Sequence, residues 1–515
     1  MTSFTIAPMH TSIDPAADSR RAAGVLLHPT SLPGSYGVGD LGDEAVAFLD
    51  WAQSAGMRIW QVLPVNPPGY AASPYGCLSS FAGNPLLISP QRLLQEGLLS
   101  VDDVVEAPRF SDEHVEFDRV TAYKSALLET SWNRFNESAS EEVLAAFHAF
   151  VAAPEQAEWL DDYALYMAVK MAHGGAPWWQ WASALRTREQ KVLDRARSEH
   201  ADAIRFWQYV QFLFFRQWNV IRDAAHARGI RIMGDVPIYV AGDSADVWGN
   251  QELFQLGEDG QPTVVAGVPP DYFSATGQRW GNPLYRWDVM REQNYRWWIE
   301  RVRTNLRLAD VVRLDHFRGF AAYWEVPADE PTAVHGRWMP GPGIALFEAL
   351  REAFGVELPL VAEDLGFITQ DVHELRRATG LPGMKILQFG FELDNDAHLP
   401  HRLERETTVY TGTHDNDTAR GWFDHATEGE REAALAYLGA KDAEEIAPAL
   451  IRAAYTSVAQ LTIIPAQDIL GLGSDARMNT PGNQHGNWSW RLPPGAPTRE
   501  NAAWLRRLAT LTGRT

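Results

Sequence analysis

Three short segments of this 515-residue chain place acids directly after β-rich apolar runs. The first is Val311-Val312-Arg313-Leu314-Asp315-His316-Phe317-Arg318. Residues two apart in a strand point to one face, so Arg313 and Asp315 share a side while Leu314 and His316 face the other way. An arginine beside an aspartate favours the ionised carboxylate, which suits a nucleophile. The same pair also suits a buried structural ion pair. The second segment, Val361-Ala362-Glu363-Asp364-Leu365-Gly366, closes a run with two adjacent acids. An acid turned inward and desolvated keeps its proton, as a general acid must. Both acids could instead complete the dipole of a following helix. The third, Tyr410-Thr411-Gly412-Thr413-His414-Asp415-Asn416-Asp417, leads β-branched threonines into a His-Asp pair. Carboxylates in unlike environments let one site run acid and base chemistry together, although Asp and Asn also cap turns.

Elements that could bring these segments together recur along the chain. Short apolar runs stand at Gly24–Leu27, Arg58–Leu63, Ile230–Val236, Asp310–Asp315, Leu360–Glu363, Met384–Phe389, Thr408–Thr413 and Leu461–Gln467. Helical patterns lie between most of them, including Ala203–Arg228, which stops at Gly229, and Arg291–Leu308, which carries one apolar stripe. Ser140–Ala153 and Trp159–Ala172 also read as helices. Eight strands alternating with helices predict an α/β fold, a (β/α)8 TIM barrel. Acids at the C-terminal ends of its strands would converge on one loop-lined face. The spacing is uneven: roughly 165 residues separate the second and third runs and roughly 70 the third and fourth, well beyond one crossover. The organisation expected is a tail over 1–22 and a single barrel over 23–515. Mostly helical insertion subdomains fall at about 67–200 and 241–290, with a smaller helical one at about 417–460.

Composition narrows the function classes. Lys and Arg number 45 against 66 Asp and Glu, a net charge of −21. So acidic a surface repels phosphate backbones, which argues against a nucleic-acid partner. The single cysteine, Cys77, excludes an intramolecular disulfide and a cysteine-based zinc site. No stretch approaches the length of a membrane span, and Met1 to Arg21 has no apolar run, so a cytoplasmic protein with no membrane partner is expected. The 20 tryptophans serve mostly as core, yet indole faces also stack on the C–H faces of sugars.

Several motifs then coincide. They are His28-Pro29-Thr30-Ser31-Leu32-Pro33-Gly34, Ser73-Pro74-Tyr75, Gly234-Asp235-Val236-Pro237-Ile238-Tyr239-Val240, Gly267-Val268-Pro269-Pro270-Asp271-Tyr272-Phe273-Ser274 and Gln278-Arg279-Trp280-Gly281-Asn282-Pro283, together with the three acidic segments. From about Gly24 to Arg491 the sequence resembles the 4-α-glucanotransferases (amylomaltases, or disproportionating enzymes) of the α-amylase clan. The resemblance implies a retaining glycosyltransferase that moves α-1,4-glucan segments between maltodextrins, starch or glycogen-derived glucans and releases glucose. It implies Asp315 as nucleophile, Glu363 as acid/base and Asp415 as the third carboxylate. Arg313, His414, His316, Asp364, Asp271, Tyr272, Gln278, Trp280, Tyr75 and Asn479 match substrate-contacting positions, and the stiff Pro269–Phe273 loop would be a lid. Neither a metal nor an organic cofactor is implied. The rivals are an α-1,4-glucan hydrolase of the same clan and a non-catalytic glucan-binding protein, and the retention of all three acids speaks against the second.

Overall fold

The computed structural model describes residues 21–105, 107–270, 274–391, 396–483 and 485–515. Eight parallel strands form the centre: β1 (Ala22–Leu26), β2 (Ile59–Gln61), β3 (Arg231–Val236), β4 (Val311–Leu314), β5 (Leu360–Ala362), β6 (Gly383–Ile386), β7 (Thr407–Tyr410) and β8 (Leu461–Pro465). Their spatial order is β6-β7-β8-β1-β2-β3-β4-β5. The ring closes where Ala362, the last residue of β5, donates its N–H to Pro382 O, 2.9 Å away, just before β6. The strands are short and almost wholly buried, as a parallel sheet covered on both faces requires. Gly24 allows the close approach this needs: a Cβ there would lie 2.7 Å from Ile59 Cβ and 2.6 Å from Ile463 Cδ1. All eight predicted strands are present, and the chain is a (β/α)8 barrel.

The helix Ala201–Ala227 packs outside the ring and ends at Gly229, whose φ of +68° is the left-handed stop the sequence predicts. Two glutamines inside its buried stripe hold the stretch after β2. Gln211 exchanges hydrogen bonds with both backbone groups of Gly83 (2.7 and 3.0 Å), and Gln217 does so with Ser89 (2.7 and 3.4 Å). A buried amide satisfied in this way fixes a loop that apolar contact alone would leave free to slide.

Three readings are corrected. The helix predicted over 291–308 is two helices, Trp287–Glu292 and Arg296–Leu308, because Asn294 and Tyr295 turn left-handed between them (φ 51° and 54°). Asparagine tolerates that region, and the buried Tyr295 is held in it by its ring and by Arg291 Nε donating to its hydroxyl. The segment 241–290, expected to be mostly helical, supplies two strands, Val264–Val268 and Gln278–Pro283, to a four-stranded antiparallel sheet. The other two, Ala322–Pro327 and Arg337–Pro340, come from the loop after β4. The Val-Val pair and close pairing of Gly267 against Arg279 favour strand there. Of the tail expected over 1–22, residues 1–20 lie outside the described residues and Ala22 already belongs to β1.

The bottom of the barrel is tied by Arg514. Its buried guanidinium donates to Tyr455 O (2.8 Å), Ala22 O (3.1 Å), Gln460 O (3.2 Å), Ser457 O (3.2 Å) and Ala459 O (2.8 Å), bridging β1 and the entry to β8. Replacing it strands several carbonyls in a dry environment. Arg514→Ala is expected to cost about 3–5 kcal/mol, and Arg514→Lys less. A denaturant midpoint unchanged in Arg514→Ala would refute the clamp.

Candidate active site

The barrel register determines what meets at its C-terminal end. Asp235 on β3 lies directly opposite Arg313 on β4, and Leu314 opposite Ala362 on β5. Asp315 N donates to Val236 O and Glu363 N to Leu314 O, each at 3.0 Å. Asp235, Arg313, Asp315 and Glu363 therefore emerge side by side at the strand ends.

Arg313 sits at the middle of them, 3% exposed. Its Nη1 donates to Asp235 Oδ1 and Oδ2 (2.9 and 2.8 Å) and to Asp315 Oδ1 (2.9 Å). Burial alone would lower its affinity for a proton, but Asp235 and Asp315 override that and hold the guanidinium charged. Tyr75 OH donates to Asp235 Oδ2 at 2.7 Å. Three ionic groups and a phenol thus share one pocket, in which Arg313 and Asp235 are enclosed while Asp315 and Tyr75 are partly open to solvent.

Glu363 occupies a different environment. Its Oε2 accepts from His316 N (2.6 Å) and its Oε1 from Leu365 N (3.0 Å). Burial pushes its carboxyl up to about 8, and Arg313 and the two N–H groups only partly oppose this. Burial therefore favours the protonated form of Glu363.

The bond from His316 explains a further correction. Strand alternation predicts that His316 points away from Asp315, but β4 ends at Leu314 and His316 adopts φ 49°. That left-handed turn brings its N–H onto Glu363 and its ring edge-on against Trp280, centroids 4.8 Å apart. Burial lowers the imidazole to about 4, so it is neutral in ordinary conditions. Trp280 is itself 38% exposed, with Nε1 donating to Gln278 Oε1 at 3.1 Å.

The third acid is carried by the loop after β7. Asn416 Oδ1 accepts from Thr413 N and Oγ1, both at 2.9 Å, so the turn chemistry of this segment belongs to Asn416 and leaves Asp415 free of it. Asp415 Oδ1 accepts from Asn479 Nδ2 (2.6 Å), Oδ2 lies 3.3 Å from His414 Nε2, and its carbonyl accepts from Arg477 (2.7 Å). His414 stacks on Tyr75 at 5.1 Å, and Trp488 packs against both rings. Buried Asp468 braces the same loop by accepting from Thr411 Oγ1 and Ala419 N.

Ten of the predicted residues gather at this end of the barrel: Asp315, Glu363, Asp415, Arg313, His414, His316, Gln278, Trp280, Tyr75 and Asn479. Asp364 does not join them. It is buried between β5 and β6, where Oδ1 accepts from Met384 N (2.7 Å) and Oδ2 pairs with Arg376 Nε (3.0 Å). A Cβ on Gly383 would strike this carboxylate at 2.6 Å, so Gly383 makes room for it. Asp271 and Tyr272 lie outside the described residues. Sequence reasoning missed Asp235 and Trp488. Asp235 stands at the end of an apolar run, the same signal that marked Asp315, whereas Trp488 follows no run.

A family model described as 4-alpha-glucanotransferase matches residues 27–497. A 4-alpha-glucanotransferase of Thermus thermophilus is 51% identical over 503 residues, covering 96% of this chain and 99% of its own. One from Synechocystis sp. is 48% identical over 482 residues, covering 92% and 94%. Among solved structures, the Streptococcus agalactiae amylomaltase in complex with acarbose superposes with a TM-score of 0.92 at 37% identity, covering 96% of this chain and all of its own.

Glu363 offers a direct physical test. Its carboxyl C=O stretch in infrared difference spectra is expected to vanish with a midpoint near 8, as its burial dictates. Asp315→Asn removes a negative neighbour and should move that midpoint down. The folded carboxyl keeps its proton far above its ordinary 4.5. Its contribution to stability is therefore full below that value and is lost as pH rises through about 8. Wild type should accordingly lose stability relative to Glu363→Gln across this window. A midpoint in the ordinary carboxylate range would overturn the assignment.

Proposed function

The chain belongs to the 4-α-glucanotransferase family, and we propose that its three carboxylates carry out transfer by double displacement on maltodextrins. The observation that carries this reading is the contrast between Asp315, held against Arg313, and Glu363, buried and protonated on the adjoining strand end. Asp315 attacks the anomeric carbon as the carboxylate. Glu363 protonates the departing glycosidic oxygen, and the released segment, glucose in the shortest case, leaves. The covalent glycosyl-enzyme then meets an acceptor 4-hydroxyl. Glu363, now ionised, removes its proton as the new bond forms and Asp315 departs. The net result is one α-1,4 linkage exchanged for another, with the proton returned to Glu363.

The surrounding groups suit this cycle. Asp415, oriented by Asn479 and His414, grips ring hydroxyls and favours the distorted sugar. Neutral His316 and the buried His414 supply hydroxyl partners. Trp280 presents an open indole for stacking, with Gln278 fixing its N–H. Tyr75 has one face on His414 and its hydroxyl on Asp235, so it walls the site and props the charge centre. Asp271 and Tyr272 would contact the glucan from the Pro269–Phe273 loop. Asp364 would act through β5 and β6, which it joins. Among the described residues no helix is long and apolar enough to cross a membrane, in keeping with soluble glucans as donor and acceptor.

Two measurements test this. Asp315→Asn, Glu363→Gln and Asp415→Asn are each expected to lower turnover at least about a thousandfold, or ~4 kcal/mol of transition-state stabilisation, with melting temperatures near wild type. A Glu363→Gln protein retaining a tenth of the activity would remove Glu363 from the acid/base role. Separately, maltotriose alone should give glucose and a ladder of longer maltodextrins with almost no rise in total reducing ends. Reducing ends that climb with glucose, and no longer products, would make water the acceptor and the chain a hydrolase.

A further inference from the structure

Two large aromatic side chains stand open to solvent on the rim beside Glu363. Phe367 is 66% exposed and Trp338 is 36% exposed. Isolated exposed rings need no explanation, but these two share a cation. The guanidinium of Arg318 lies 3.9 Å from the Trp338 ring centroid and 5.5 Å from that of Phe367. Arg318 is buried, and its Nη1 also donates to Phe367 O (2.8 Å) and Thr369 Oγ1 (2.9 Å). The arginine thus pins both rings in place. Each rests on the guanidinium and leaves much of its remaining surface in water.

The position of this pair in the fold gives it meaning. Arg318 is two residues beyond His316, whose N–H is on Glu363, and Phe317 N donates to Glu363 O at 3.0 Å. Phe367 is four residues beyond Glu363, within about 15 Å along the chain. Trp338 lies on the outer strand, Arg337–Pro340, of the sheet in the loop after β4. All three residues belong to the loops that follow β4 and β5, on the face where the carboxylates emerge. The opposite side of the site, with Asp415, His414 and Tyr75, is built from the loops after β7 and β2. Glu363 must face the glycosidic oxygen that leaves and the hydroxyl that replaces it. The rim beyond Glu363 is therefore where the leaving segment departs and the acceptor arrives.

We propose that Phe367 and Trp338, locked by Arg318, form a stacking platform for α-glucan units on the leaving-group and acceptor side, beyond the sugar next to the cleaved bond. The inference rests on the transferase reading. Flat, preordered rings lose little freedom on binding, and they offer apolar area to the C–H face of each glucosyl unit without demanding hydrogen bonds. The platform selects chain length: a short glucan never reaches it, and a long one is held by it before and after the bond exchange. A shared stacking surface of this kind mainly alters KM, because it binds ground and transition states alike.

The test compares kcat/KM for maltoheptaose with that for maltotriose, measured as the summed rate at which all transfer products form. In Phe367→Ala and in Trp338→Ala the maltoheptaose-to-maltotriose ratio is expected to fall about tenfold, mostly through KM for the longer glucan. Phe367→Tyr, which keeps a flat ring, should restore it. Trp338 also packs against Trp324, so melting curves accompany its variant, and Phe367→Ala tests the proposal by itself. An unchanged ratio in Phe367→Ala, or an equal loss on both substrates, would overturn the platform. Wild type that releases glucose only by hydrolysis would instead overturn the transferase reading, so the two failures are distinguishable.

Discussion

One buried cation organises this active end. Arg313 is buried with three carboxylate oxygens around it. Removing ions from water is costly, and such a cluster persists only when geometry and further hydrogen bonds compensate. Here the register of β3 against β4 supplies the geometry, since it sets Asp235 and Arg313 directly opposite. Tyr75 supplies the extra donor to Asp235. The consequence is directional. Asp235 is fully enclosed and acts as a fixed counter-charge, while Asp315 reaches from the same cation toward open space. Neutralising Arg313 would leave two carboxylates facing each other and Glu363 nearby, and the separation of roles among the acids would be lost.

That separation follows from neighbouring strands and not from distant design. Asp315 and Glu363 leave adjacent strands in register, yet one is bonded to the cation while the other, among the described residues, accepts hydrogen bonds from backbone N–H groups and is buried. The left-handed turn at His316 makes the second environment. It takes the chain out of β4 at the residue where continued pleating would have turned the N–H elsewhere. A non-glycine residue at positive φ carries strain, and its placement here coincides with the donor on Glu363 and the ring against Trp280.

The ring of eight strands was legible because each is a short apolar run bounded by turns, and the helix Ala201–Ala227 because its periodicity is strong. The three acids were legible because they close such runs. What could not be read came from backbone conformation and long-range packing. Alternation is a rule for unbroken strands, so it failed at His316, one turn past the end of β4. The family motif assigns Asp364 to the site, but its carboxylate turns into the β5–β6 seam beneath Gly383. The small antiparallel sheet joins strands from two separate loops, so no local pattern announces it. Asp235 carried the right signal and was passed over because its partner, Arg313, lies 78 positions away.

The choice between transfer and hydrolysis rests on the same architecture. In the proposed cycle a glycosyl unit on Asp315 would face water at about 55 M, and an oriented acceptor can exceed this because effective molarities of well-placed groups reach about 10⁵ M or more. That advantage requires the acceptor to stay bound while the first segment leaves. In this reading Trp280, packed against His316, would flank the reacting end, and the rings pinned by Arg318 would lie farther out on the acceptor side. Contacts far from the reacting atoms lengthen the stay of a long glucan without touching the barrier to bond exchange. An enzyme built this way would hold both glucans by their apolar faces and leave the chemistry to two carboxyls on neighbouring strands.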